Sequence, residues 1–156
     1  MALLLHRLSE EEFDDYFNHK VHRYANALQE NMLGTQTEAL EKAERHMNRF
    51  LPQHFNTPNH YIFNLIKEET KIGFLWLYVL NEKKSAYLYD IYIQEQYRGN
   101  GLGKDAINVA ENWVNQFDIV HFDLHVFGSN KNALRLYEKL GFEITSIYMR
   151  KELTSK

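Results

Sequence analysis

The residues best placed to do chemistry in this 156-residue chain are three glycines at alternate positions, Gly99, Gly101 and Gly103, set among Arg98, Asn100, Leu102 and Lys104. They follow an apolar run at residues 86–93. They open an amphipathic run whose apolar members are Leu102, Ala106, Val109, Ala110, Trp113 and Phe117. Glycines at this spacing let a backbone curl without side chains in the way. The first amides of the following helix have no partner inside it and lie at its positive end. Strand, glycine loop and helix start together form a cradle for a phosphate. A Walker A loop would need glycine at position 98 and Ser or Thr after Gly-Lys, where this chain has Arg98 and Asp105. A dinucleotide fingerprint fits locally through Gly101, Gly103 and Ala106, with Asp123 as a ribose acid. That fingerprint opens a parallel βαβ half, however, and here an antiparallel series precedes it.

A second group of candidates lies downstream in Asn130, Ala133, Leu136, Tyr137, Leu140, Gly141 and Phe142. Asn130 is a good N-cap, Tyr137 carries a phenolic proton, and Gly141 sits where a left-handed helix end belongs. Alone, the segment reads as an amphipathic helix with Ala133, Leu136 and Leu140 packed. The eight histidines form no His-Glu-x-x-His pattern. His121 and His125, four apart on a strand, share a face but lack the compact i, i+2 spacing of strand ligands, and no metal site is expected. Glu10, Glu11, Glu12, Asp14 and Asp15 suit the macrodipole of a helix start and could attract a cationic amine.

These groups need elements to hold them. Residues 2–8 read as an edge strand. Ser9 with Glu12 and Thr35 with Glu38 are capping boxes that open two helices. Phe13, Phe17, Val21, Tyr24 and Leu28 form the buried stripe of the first; Leu40, Ala43, Met47 and Phe50 form that of the second, which Pro52 stops. Residues 61–66, 72–79 and 86–93 then read as three strands joined by short polar turns, an antiparallel meander. The glycine loop and its helix follow, then a strand at 119–127, a helix at 131–140 and a last strand at 142–149, with fraying from Lys151. The order is β-α-α-β-β-β-α-β-α-β, an α/β fold with a mixed sheet.

Composition narrows the class. Hydrophobic content of 44% and charge of 25% are those of a globular protein, expected here as one domain over residues 1–156. A formal net charge of −3 speaks against a general nucleic-acid surface. With no cysteine, thiolate chemistry is excluded. The apolar start is too short for a signal peptide or a membrane span, so a cytoplasmic protein without membrane association is expected.

Arg98-x-x-Gly101-x-Gly103 on a strand-loop-helix unit, followed after one strand by Asn130-x-x-Ala133-x-x-Leu136-Tyr137-x-x-x-Gly141-Phe142, resembles the GCN5-related N-acetyltransferase (GNAT) superfamily. The motifs cover residues 86–142. The resemblance implies a GNAT-like fold and transfer of an acetyl group from acetyl-CoA to a primary amine, with no metal. The backbone of Gly99, Asn100, Gly101, Leu102, Gly103 and Lys104 would hold the pyrophosphate, with Arg98 fixing the loop. Ile91, Tyr92 and Ile93 would pair with the pantetheine amides as though the cofactor were an added strand. Asn130 would bond that arm from the other side. An amide near Ile93 would face the oxyanion, and Tyr137 would protonate the leaving thiolate. The amine must attack neutral, so a base is expected. Some relatives carry a glutamate where this chain has Tyr89. Asp90, adjacent and on the opposite strand face, is a candidate, with His121, His125 and relayed water as rivals. The acceptor pocket is expected from the first two helices, the strand with Trp76 and Tyr78, and the region of Tyr148. A polyamine, another small amine or a peptide N-terminus could fill it. The family habit and the aromatic excess suggest a homodimer. A non-catalytic acyl-CoA-binding or sensing module is the alternative.

Overall fold

The computed structural model describes residues 2–154. One sheet runs in chain order: β1 (Leu4–Arg7), β2 (His60–Lys67), β3 (Thr70–Leu80), β4 (Ser85–Ile93) and β5 (His121–Leu124). The first four are antiparallel, and β5 alone is parallel to its neighbour β4. Helices α1 (Glu10–Glu30) and α2 (Gln36–Phe50) separate β1 from β2, and α3 (Leu102–Asn115) makes the crossover from β4 to β5. Helix α4 (Lys131–Lys139) follows β5. Both expected capping boxes form, so α1 and α2 each start with two amides satisfied at the N-terminal end.

The sheet separates two cores. On one face α1 and α2 bury Phe13, Tyr16, Ala43 and Met47 against Ile62, Phe74 and Trp76. On the other α3 buries Ala106, Ile107 and Ala110 against Leu65, Leu75 and Leu77. Strand β3 is covered on both sides, which is why residues 72–77 form an unbroken apolar run. Each fully buried Leu or Ile here contributes about 1.5–3 kcal/mol. Gly73 is the exception that the packing requires: a Cβ there would run into the Tyr92 carbonyl oxygen of β4.

Three features depart from the sequence reading. Strand β4 carries a β-bulge: Trp76 pairs with Asp90 and Leu77 with Leu88, leaving Tyr89 without a partner. The extra residue puts Tyr89 and Asp90 on the same face, toward α1 and α2, while Leu88 and Ile91 both face α3. Asp90 is therefore not on the face opposite Tyr89, because an inserted residue cancels the period of two. Strand β5 spans only His121–Leu124, because β4 turns away from it beyond Leu88. Residues 142–149 form no strand, since a strand needs a hydrogen-bonded neighbour and this segment has none among the described residues. Part of the end expected to fray lies outside the described residues.

Candidate active site

The sheet opens at one place. Pairing between β4 and β5 stops at Leu88 with Leu124, yet β4 runs on to Ile93 beside β3. The Gln94 amide donates to the Ile72 carbonyl at 2.7 Å, which sets the alternation along β4. In that alternation the Tyr92 backbone turns to β3, while Ile91 and Ile93 turn toward the gap. Tyr92, expected beside them in the cofactor slot, instead lays its ring under the Arg23 guanidinium, 4.4 Å from its centroid. The slot is lined by the backbone of Ile91 and the amide of Ile93, the edge an added strand would use.

The glycine loop closes one end of this slot. Arg98 folds back so that its Nε donates to the Ile93 carbonyl at 2.7 Å, tying the loop to the strand. Asn100 donates to the Tyr97 carbonyl at 3.2 Å. Gly99 (φ +83°) and Gly101 (φ +75°) adopt left-handed backbone, and a Cβ on either would meet no protein atom within 4 Å. A side chain there would fill the cradle itself. Gly101 is the N-cap of α3 and offers no side chain, and the first helical bond runs from the Asp105 amide to the Gly101 carbonyl. The amides of Leu102, Gly103 and Lys104 therefore remain open to an anion, though the Leu102 side chain itself is buried. These residues fit a pyrophosphate. Gly103 has a further role: a Cβ there would lie 3.4 Å from Leu136, so glycine lets α4 come close to α3.

Helix α4 forms the far wall. The Asn130 Oδ1 accepts from the Ala133 amide at 3.2 Å, leaving the Asn130 side-chain NH2 group available toward the slot. The Tyr137 ring is buried, but its hydroxyl has no partner among the described residues and is not shut off from solvent. Burial, with the Asp90 charge as a smaller influence, pushes the phenol up to about 12. The helix ends in a Schellman motif: the Gly141 amide donates to Glu138 and the Phe142 amide to Tyr137.

Asp90 has a different environment from that of a proton acceptor. Its carboxylate receives the Tyr16 hydroxyl at 2.7 Å, two Arg23 guanidinium bonds at 2.8 Å each, and Lys20 at 3.4 Å. Burial alone would raise its pKa, but Lys20 and Arg23 hold it far below the usual carboxylate range. A base for an amine works best near neutral pH. The geometry makes Asp90 the ionised anchor that fixes α1 to β4.

The wall facing the gap from α1, α2 and β4 is aromatic. Tyr24 stacks on His46 at 4.4 Å between centroids, His46 meets Phe50 at 4.7 Å, and Phe50 meets Tyr89 at 4.8 Å. Tyr87 lies 4.5 Å from Tyr89, and His125 lies 4.8 Å from Phe127, which follows β5. Burial, then Lys20, Arg49 and His125, lower the His46 pKa to about 4. Desolvation first, then Lys20, also lowers the His125 pKa, although the side chains of His125 and His121 are both exposed. Trp76, expected in the acceptor pocket, is wholly buried and donates to His60 Nδ1 at 2.9 Å, so it belongs to the core. Tyr24 and Phe50, stripe residues of α1 and α2 by their spacing, join His46, Tyr89 and Tyr87 in one run of aromatic contacts. Among the described residues no three side chains gather as metal ligands.

A family profile described as Acetyltransferase (GNAT) family matches residues 6–142. The chain is 33% identical to the uncharacterized N-acetyltransferase YdgE of Bacillus subtilis (strain 168), over 98% of this chain and 99% of that one. Its fold superposes on the crystal structure of the acetyltransferase YycN from Bacillus subtilis with a TM-score of 0.92, at 29% identity, covering 97% of this chain and 99% of the other. A PaiA N-acetyltransferase from Thermoplasma acidophilum, solved in complex with coenzyme A, shares the fold at a TM-score of 0.64 and 18% identity, covering 95% and 94% of the two chains.

Proposed function

The chain belongs to the GNAT acetyltransferase family and is an N-acetyltransferase; from that premise we propose that it carries acetyl from acetyl-CoA to a primary amine attached to an aromatic or apolar body. The observation that carries the cofactor reading is the opened sheet, with Ile91 and Ile93 facing a gap that ends in the cradle of Gly99 and Gly101. Acetyl-CoA would supply the activated thioester, and the other roles fall to residues of the chain. The amides at the start of α3 bind the pyrophosphate. Ile91, Ile93 and Asn130 orient the arm by hydrogen bonds, and the Ile93 amide faces the developing oxyanion. Tyr137, protonated at any physiological pH, donates to the departing thiolate. His125, its pKa lowered by partial desolvation and then by Lys20, takes the amine proton through water, a role Asp90 does not fill.

The acceptor class follows from the wall. Rings of Tyr24, Phe50, Tyr87 and Tyr89 offer flat apolar surface, and Arg49, over the Phe50 ring, disfavours a second cation, while Lys20 is paired with Asp90. The acidic cluster at Glu10, Glu11 and Glu12 starts α1 about 15 Å from Lys20 along the helix axis, too far to supply a cation site beside these rings. This wall favours an aromatic amine or an amino acid over a polyamine. The test is thiol release from acetyl-CoA with a panel of aryl-alkyl amines, amino acids and polyamines, beside calorimetric binding of coenzyme A. Faster turnover of polyamines overturns the acceptor class. Tight coenzyme A binding without thiol release, matched by an indistinguishable Tyr137→Phe variant, would instead establish a non-catalytic acyl-CoA-binding module.

A further inference from the structure

The cluster that ties α1 to β4 leaves its charge unbalanced. Asp90 faces two cations, Arg23 and Lys20, and no other carboxylate pairs with either among the described residues. Tyr16 adds a hydrogen bond but no charge, since burial keeps its phenol protonated. One carboxylate between two cations carries one net positive charge.

The two cations share Asp90 unequally. Arg23 grips both carboxylate oxygens at 2.8 Å, and its Nε is taken up by His19 Nδ1 at 2.8 Å. The Tyr16 hydroxyl occupies another lone pair at 2.7 Å. Lys20 is left with one long bond, 3.4 Å from Nζ to Oδ1. Its ammonium therefore keeps two of its three donors without a partner among the described residues. Burial lowers the Lys20 pKa, and Asp90 opposes that only in part. The excess charge is that of Lys20, and an anion beside it would relieve the cost of burying it.

The position of Lys20 identifies the anion. It lies one helical turn before Tyr24, its Nζ 5.6 Å from the centre of that ring. Its charge reaches His46 of α2 and His125 beyond β5. The ammonium thus sits at the inner end of the aromatic wall, and the Asp90 charge beside it reaches Tyr137. The Lys20 side chain is 12% exposed and that of Asp90 3%, so a ligand can meet the cation but not its counter-ion.

Resting on the acceptor site proposed above, we infer that Lys20 is a specificity-determining residue that binds a carboxylate of the acceptor, and that the acceptor is an aromatic or apolar amino acid with a free carboxylate. Such a carboxylate gives the two remaining ammonium donors charge-assisted bonds and brings the cluster to neutrality, while the ring of the same molecule lies against the Tyr24 wall.

The test pairs acceptors that differ only in the carboxylate, phenylalanine with phenethylamine and tyrosine with tyramine, in thiol release from acetyl-CoA. Calorimetry then compares N-acetylphenylalanine with N-acetylphenethylamine in the presence of coenzyme A. Wild type is expected to favour the carboxylate-bearing member of each pair about tenfold or more, in kcat/KM and in Kd. Lys20→Met should erase that preference through KM and Kd. Because the Asp90 pair with Arg23 is retained, the same variant should keep its urea midpoint, which separates lost recognition from lost fold. Equal or better use of the amines lacking a carboxylate overturns the inference and leaves acetyl transfer standing. So does a preference that survives in Lys20→Met, or a midpoint that falls there as for a broken buried ion pair. Absence of thiol release with every acceptor would overturn the acetyl transfer itself, and the calorimetric pair would still decide the carboxylate site.

Discussion

Tyr137 keeps its ring in the core, while its hydroxyl is unpaired among the described residues and not shut off from solvent, an arrangement compatible with proton donation. Replacing it with Phe retains the ring and removes the donor. Thiol release by Tyr137→Phe should fall about 10²-fold or more in kcat, with coenzyme A affinity in calorimetry unchanged. Because the phenol titrates near 12, loss of activity between pH 7 and 10 cannot be assigned to it. Asp90 gives a contrasting prediction. Asp90→Ala leaves Arg23 and Lys20 without their counter-ion and Tyr16 without its acceptor, and should cost about 3–5 kcal/mol in urea unfolding. Tyr137 and Asn130 were legible in the sequence because helical spacing ties them to a local pattern. The role of Asp90 was not, because its partners lie 67 to 74 residues away and only the fold brings them together.

At the scale of elements, the capping boxes and the left-handed helix end at Gly141 were legible because each acts within a few residues. The loop makes a separable prediction. Gly101→Ala forces a left-handed φ on a residue with a Cβ, a cost of about 1–2 kcal/mol, and fills open cradle space that no protein atom occupies. Asn100→Ala removes only local bonds to the loop backbone. Calorimetry should therefore show coenzyme A affinity reduced about tenfold or more for Gly101→Ala and by less for Asn100→Ala; equal losses would remove the cradle geometry. The last strand and the length of β5 were misjudged for one physical reason. Apolar alternation reports a tendency to pair, but the pairing partner is not encoded locally.

Across the whole molecule, acid sensitivity should come from histidines kept neutral by burial. His46 and His60 have pKa values lowered to about 4, against about 6.5 in an unfolded chain. Between those values the unfolded state binds more protons, so stability is full above pH 6.5 and declines as pH falls toward 4. The urea midpoint should drop over that window, and His60→Gln, which retains an acceptor for Trp76, should flatten part of the slope. The overall architecture was legible because two capped helices, a meander and a glycine crossover leave few ways to build one mixed sheet. The unpaired residue at Tyr89 was invisible, since nothing in a run of tyrosines marks which one is extra. That single insertion has a genetic consequence. Removing the one codon for Tyr89, in frame, would restore strict alternation along β4 with Leu88 and Ile91 still toward α3 and the Asp90 carboxylate still toward Arg23 and Lys20. A deletion at this position thus costs little more than the Tyr89 ring itself.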